Sequence, residues 1–475
     1  MKKEINIKWI YLISIVYIVL NSILIANEFY WFSVLPALIL VLLLYLFSLD
    51  KLIFLITFLT PVAVNIRDFD LGFGISLPTE PLMSGVLLIF IIKLFYKNSI
   101  DIKLLKHPVT IAILINLIWI FITSITSEIP FVSLKFLIAR LWFIVPFYFI
   151  AVQIFKNYKN IKIFPWIYVI SLLGVIFYTI SKHASYGFDS EIAHWIMSPF
   201  FNDHTAYGAV IAIFVPVFIG FIFNDEYSKT QKAISLVVSV VLLIALYFSV
   251  SRAAWLSVVF AFGIYIIVLL KIKFSWILSF LIIVIGLFFT FQNDIINKMS
   301  RNKQDSSADL MEHVQSMSNI TSDASNLERM NRWMAAIRMF KERPFWGWGP
   351  GTYQFIYAPY QTSKDKTIIS TNAGDKGNAH SEYIGPLAES GVLGMLTFLS
   401  IVICIVFTAL RVYKNATDKR VRYLSLLFML GLFTYFMHGL LNNFLDSDKA
   451  SVPFWGFTAI IVALDLYHKN KEEIS

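Results

Sequence analysis

Apolar stretches of roughly 15–25 residues, separated by short polar connections, run along almost the whole chain. A helix needs about 20 mostly apolar residues to cross the hydrocarbon core of a bilayer. On that measure the sequence predicts fourteen spans, at 9–26, 29–48, 52–66, 81–97, 108–125, 131–155, 163–181, 204–223, 232–250, 252–270, 274–291, 392–411, 422–443 and 452–468. The third is short and the break at Ser251 is tight, so the expectation is an all-α membrane protein, a polytopic helical bundle of about 12–14 spans. The opening MKKEINIK and its apolar run carry no small-x-small cleavage site near Ala26, and they read as a retained first span. No internal repeat is visible.

Composition agrees with this pattern. The chain is 58% hydrophobic and 15% charged, against about 25% charged in an ordinary soluble protein. The single cysteine, Cys404, lies in an apolar run and excludes an intrachain disulfide or a cysteine metal site. The net charge of +9 raises nucleic acid as a partner, but the position of the charges argues otherwise. With the N-terminus inside, 21 Lys and Arg fall on inner connections, and only Arg67, Lys182, Arg252 and Lys449 fall on short outer ones. That is the positive-inside pattern. It predicts both termini in the cytoplasm and no nucleic-acid partner.

One connection differs from the rest. Residues 292–385 form a long polar outer segment, and a loop of that length is usually functional or disordered. Its second half carries ordering signals. Ser325-Asn326-Leu327-Glu328 fits a capping box, and an apolar stripe follows at Met330, Trp333, Met334 and Ile337 before Pro344 closes the helix. Arg329 and Arg332, three apart, share a face of that helix. The glycine-rich Pro344-Phe345-Trp346-Gly347-Trp348-Gly349-Pro350-Gly351 has neither the lysine nor the preceding strand of a phosphate loop, and it reads as turn chemistry. Arg252 opens a span beside Trp255, where an interfacial anchor is the ordinary reading. His380 sits in Asn378-Ala379-His380-Ser381-Glu382-Tyr383 at the membrane edge, close in sequence to the arginine helix.

These elements, in this order, resemble the O-antigen ligase/polymerase family. They are Ser251-Arg252-Ala253-Ala254-Trp255, Glu328-Arg329 ahead of Trp333, Arg343 through Gly349, and Ala379-His380-Ser381-Glu382-Tyr383 through Leu387-Ala388-Glu389-Ser390-Gly391-Val392-Leu393-Gly394. The resemblance covers about 204–411, leaving 1–203 and 412–475 as N- and C-terminal spans. The chain departs from it at Ala253, where the family commonly has Gly, and at Ser381, where it commonly has Asn. The resemblance implies a GT-C-like architecture with one large periplasmic loop in the inner membrane. It implies a polyprenyl-pyrophosphate-linked glycan donor and an acceptor hydroxyl on lipid A–core or on another glycan. Arg252 and Arg329 would then hold the pyrophosphate, with Arg332 as a third contact, because a guanidinium stays charged and binds phosphate bidentately. His380 would take the acceptor proton, with Glu382 and Tyr383 lining the site. No metal or cofactor is expected if arginines neutralise the leaving group.

Three further readings come from the residues alone. Arg140 lies well inside the span 131–155, with no carboxylate visible near it in sequence, and this points to a donor phosphate or a polar cavity. Asp68 and Asp70 form a DxD-like pair, for which solvation is the ordinary reading. Asp203-His204, His438 with Asn442, and Asp446 with Asp448 cluster at outer span ends, where they would line the acceptor path. The alternatives are a polymerase of the same chemistry, a protein O-glycan transferase, and a lipid-linked-oligosaccharide flippase or transporter. The flippase lacks the mid-membrane carboxylates an ion-coupled carrier uses. The predicted topology has a direct test. Cysteines at Ser306 and Ser363, in a Cys404→Ser background, should react with a membrane-impermeant thiol reagent in intact spheroplasts. Labelling only after lysis would invert the topology.

Overall fold

The computed structural model describes residues 7–66, 74–96, 101–273, 324–362 and 377–470, with isolated positions between 275 and 290. The chain divides into a small unit, residues 1–55, and a large one, residues 56–475. The small unit holds α1 (Ile7–Ala26), α2 (Leu35–Phe47) and the start of α3 (Leu49–Leu59). The large unit continues through the strands β1 (Val64–Ile66) and β2 (Ile75–Leu77), which pair antiparallel with Asn65 opposite Ser76. The helices α4 (Thr79–Tyr96), α5 (Pro108–Ile125), α6 (Pro130–Ile144), α7 (Tyr158–Ser185), α8 (His204–Ile222), α9 (Lys229–Phe248) and α10 (Arg252–Leu269) follow. After α10 come α11 (Ala324–Glu342), α12 (Ile384–Asn415), α13 (Lys419–His438) and α14 (Asp448–Ala463).

Among the described residues, ten helices are long and apolar enough to cross a membrane. The all-helical polytopic expectation holds, with local corrections. The span expected at 52–66 is not one. Its helix stops at Leu59, and Pro61 leads into the β-hairpin, because proline has no N–H to continue the ladder. Eleven helical residues rise only about 16 Å, half a bilayer core. The span expected at 274–291 lies outside the described residues. The tight break at Ser251 is real, since α9 ends at Phe248 and α10 starts at Arg252.

Local chemistry sets the helix ends. Asp203 Oδ1 accepts from Thr205 N and Ala206 N at 2.8 Å each and caps α8. Ser228 and Gln231 form a full capping box on α9. Pro108 and Pro130 occupy the first turns of α5 and α6, where a missing N–H costs nothing. The capping box expected at Ser325–Glu328 involves side chains outside the described ones, and the Glu328 carboxylate accepts from Arg332 Nε at 2.8 Å.

The centre of the large unit is formed by α8, α13 and α14. All of α14 is buried, including the charged Asp448 and Lys449 of its first turn, as is α8 from Ala206 to Val215. Close approach makes this packing possible. A Cβ on Gly431 of α13 would lie 2.7 Å from the Ile213 carbonyl oxygen of α8, inside any tolerated contact. The ends of α7, α9 and α13 and the starts of α8, α10, α12 and α14 meet at one end of this bundle, and the residues discussed next are there.

Candidate active site

Two backbones press together to position α11 against α12. The N–H groups of Trp348 and Gly349 donate to Ala388 O (3.2 Å) and Glu389 O (2.7 Å), and Val392 N donates back to Pro344 O at 3.0 Å. The contact needs glycine on both sides. Gly347 has φ +67 and Gly391 φ +69, and a Cβ on either would overlap the other backbone. Gly391 also breaks α12 into 384–390 and 392–415. The glycine-rich segment is therefore a turn, as its sequence suggests, and the amides of Gly347, Trp348 and Gly349 are already occupied by carbonyls. Arg343 lies 3.9 Å over the Trp348 ring and pairs with Glu128 at 2.8 Å, which ties the turn to the end of α5.

The loop carrying His380 is held from three sides. Its N–H donates to Asn378 Oδ1 at 3.1 Å, its carbonyl accepts from Trp333 Nε1 at 3.4 Å, and Glu382 N donates to Gly439 O at 2.8 Å. These bonds keep His380 at φ +49, a left-handed conformation unusual for a side chain with a Cβ. Ser381 Oγ accepts from Tyr383 N and Ile384 N at 3.3 Å each and starts α12.

Several charged and titratable groups converge here. The charge of Arg329 acts on His380, His204 and His438, and that of Arg252 acts on His204. Asn442 bonds His438 Nε2 at 3.1 Å and also reaches His380. His194 stacks edge-on against His204 at 4.2 Å. Burial, then Arg329 and Arg332, push the His380 imidazole down to about 4, against the pull of Asn442 and Asp203. At neutral pH it is an uncharged acceptor beside guanidinium groups.

Residues 237–399 match the family model described as O-antigen ligase. The match covers about a third of the chain and agrees with the resemblance to the O-antigen ligase/polymerase family carried by its motifs. No curated protein matches it. Arg252, Arg329, Arg332, His380, Glu382 and Tyr383 fall inside the matched region, while Arg140 and the 439–447 loop fall outside it. The matched family is one of membrane enzymes of glycan-transfer type.

Several of the expected binding residues have structural partners. Arg332 is 6% exposed, pairs with Glu328, lies 4.7 Å over the Tyr357 ring and points Nη1 at Asn378 O. It braces the His380 loop. Tyr383 OH donates to Phe436 O at 3.0 Å. Glu382 is 4% exposed, and its Oε1 accepts from Tyr435 OH (2.6 Å), Phe444 N (2.9 Å) and Leu445 N (2.9 Å). Burial pushes its carboxyl up, and Arg140 opposes that. The premise that Arg140 lacks a carboxylate is corrected. It pairs with Asp446 at 3.0 Å, lies 4.0 Å from Glu382 and donates to Leu445 O at 3.0 Å. Those partners come from span ends some 240–300 residues away, which no local spacing reveals. His194 carried no signal in sequence. Asp68 and Asp70 lie outside the described residues.

The Glu382 arrangement generates a stability prediction. Glu382→Ala takes the acceptor from the buried Leu445 amide and the Tyr435 hydroxyl, leaves Phe444 N only its 3.1 Å bond to Tyr435 Oη, and leaves Arg140 one carboxylate fewer. It should cost about 3–5 kcal/mol, read as a lower thermal midpoint of the detergent-solubilised protein. Glu382→Gln keeps one acceptor oxygen and should lose less. An alanine variant as stable as the parent would remove Glu382 from this role.

Proposed function

We propose that the protein transfers a polyprenyl-pyrophosphate-linked glycan to an acceptor hydroxyl at the periplasmic face of the inner membrane, as an O-antigen ligase. The convergence of Arg329 on His380, with Arg252 beside His204, is the observation that carries this reading. The positive-inside charge asymmetry supports the periplasmic side and cytoplasmic termini.

In this reading Arg252 and Arg329 hold the pyrophosphate oxygens. His380 takes the proton of the acceptor hydroxyl as its oxygen bonds to the anomeric carbon. The bond from that carbon to the phosphate oxygen breaks, and the polyprenyl pyrophosphate departs with the electron pair, its charge held by the arginines. Arg332 acts through the loop it braces. The same chemistry serves a polymerase, in which the acceptor is another glycan. Gene deletion distinguishes the two on a surface-polysaccharide gel. Uncapped lipid A with long chains retained on the carrier indicates a ligase, and single-repeat caps indicate a polymerase.

Arg252→Ala and Arg329→Ala should each lower turnover by roughly 30- to 1,000-fold while the protein still inserts, and lysine should rescue only in part. His380→Gln, which can position a hydroxyl without taking its proton, should be nearly as impaired as His380→Ala, with donor binding retained. The active imidazole is the neutral one, so kcat/KM should be flat from about pH 6 to 8 and fall as acid approaches about 4. Near-parental activity of the arginine or glutamine variants would reject these roles.

A further inference from the structure

A cavity of about 510 Å³ adjoins the His380 loop, with Asn378, Ala379 and Ser381 in its wall and Arg140 lining it as well. Its size falls within the roughly 300–1,000 Å³ range of small-molecule sites. Its charges are lopsided. Glu80, Asp203, Glu382, Glu389, Asp446 and Asp448 line it, against Arg140 and Lys449 among the described residues.

Both cations are already engaged. Arg140 is held by Asp446, Glu382 and the Leu445 carbonyl. Lys449 Nζ donates to Thr60 O (2.5 Å) and Ala63 O (2.7 Å) and lies 3.7 Å from Asp448. Five of the six carboxylates also have protein donors: Glu382 and Asp448 are turned into the protein, Asp448 by a 2.6 Å bond from Thr79 Oγ1, while Asp203 caps α8, Glu80 accepts from Ser76 N at 3.1 Å and Glu389 from Tyr353 N at 3.0 Å. Asp446 is half exposed. The remaining wall combines rings, including Phe200, Phe444 and Tyr353, with amides. The Asn65 and Asn443 carbonyl oxygens on it have no hydrogen-bond partner among the described residues.

Apolar rings with amide and carboxylate acceptors suit a polyhydroxylated ring, whose C–H faces lie on the aromatics and whose hydroxyls donate to the oxygens. Among the described lining residues neither cation is left to meet an anion, and like charges facing each other discriminate against a wrong ligand. A pyrophosphate is better met by Arg252 and Arg329, which are not among the residues lining this chamber, and the chamber takes something else.

We propose that this cavity is a sugar subsite that accepts a neutral or amino-bearing residue and rejects a uronic acid. The identity of the ligand as a sugar rests on the glycan-transfer reading. The negative wall selects among sugars, and Asp446 contributes twice, by facing the ligand and by occupying Arg140.

The test uses the full-length protein in detergent and saturation-transfer NMR, with the methyl glycosides of N-acetylglucosamine, glucosamine and glucuronic acid as probes. The first two should bind, and the glucuronide should be weaker by roughly tenfold or more. Gly385→Leu should abolish the signals, because Gly385 lines the cavity and a Cβ there meets nothing closer than Ala379 Cβ at 3.7 Å. Asp446→Asn releases Arg140 and should narrow or reverse the preference. Glucuronide binding as tight as the others, or glycoside signals unmoved by Gly385→Leu, would overturn the proposal. Farnesyl pyrophosphate binding, with its loss in Arg329→Ala, is measured in parallel. Discriminating glycoside binding without pyrophosphate binding would reject the donor-site reading and leave the cavity standing. Pyrophosphate binding without glycoside binding would reject the cavity alone.

Discussion

A carboxylate removed from water must be surrounded by donors, and the site is arranged around one that is. Glu382 receives the Tyr435 hydroxyl of α13 and the Phe444 and Leu445 amides of the loop before α14, and it faces Arg140 of α6 across 4.0 Å. Charge-assisted bonds of this kind are individually strong, and an unpartnered member is expensive. The cost of satisfying Glu382 is thus a geometric constraint. The α12 entrance, which carries His380, cannot move independently of the 439–447 loop, which carries Asn442. The loop in turn fixes Asp446 on Arg140.

On the other flank, α11 is fixed by backbone rather than charge. The Gly347–Gly391 contact and the Trp348 and Gly349 amide bonds lock the end of α11 to the break in α12. With Trp333 on the His380 carbonyl and Arg332 on the Asn378 carbonyl, Arg329 is delivered to the histidine at a set position. The guanidinium groups that suit a pyrophosphate also weaken His380 as a base, since they disfavour its charged form. On the proposed function, a bound pyrophosphate would offset those positive charges and restore basicity, so that the ligand supplying the leaving group would prepare the base.

Much of this was legible in sequence because it is local. Span positions follow from 20-residue apolar stretches, the break at Ser251 from four consecutive residues, and the turn at 344–351 from its glycines. The failures share one cause, which is pairing at long range. Arg140 looked unpaired because Asp446 and Glu382 reach it from other elements. Glu382 and Arg332, read as contacts from the family resemblance and a shared helix face, have protein partners that sequence spacing does not reveal. The span expected at 52–66 failed for a different reason. Apolar β-branched residues after Pro61 satisfy a hydropathy window but fold as a short strand.

The central claim is that Arg329 and its pyrophosphate act on the same histidine. Histidine-labelled protein in detergent, with His380→Gln used for assignment, gives the titration of His380 by NMR. The account predicts a midpoint of about 4 in the free protein and an upward shift on adding farnesyl pyrophosphate, absent in Arg329→Ala. A midpoint near the ordinary histidine value of about 6.5 that does not respond to pyrophosphate would contradict it.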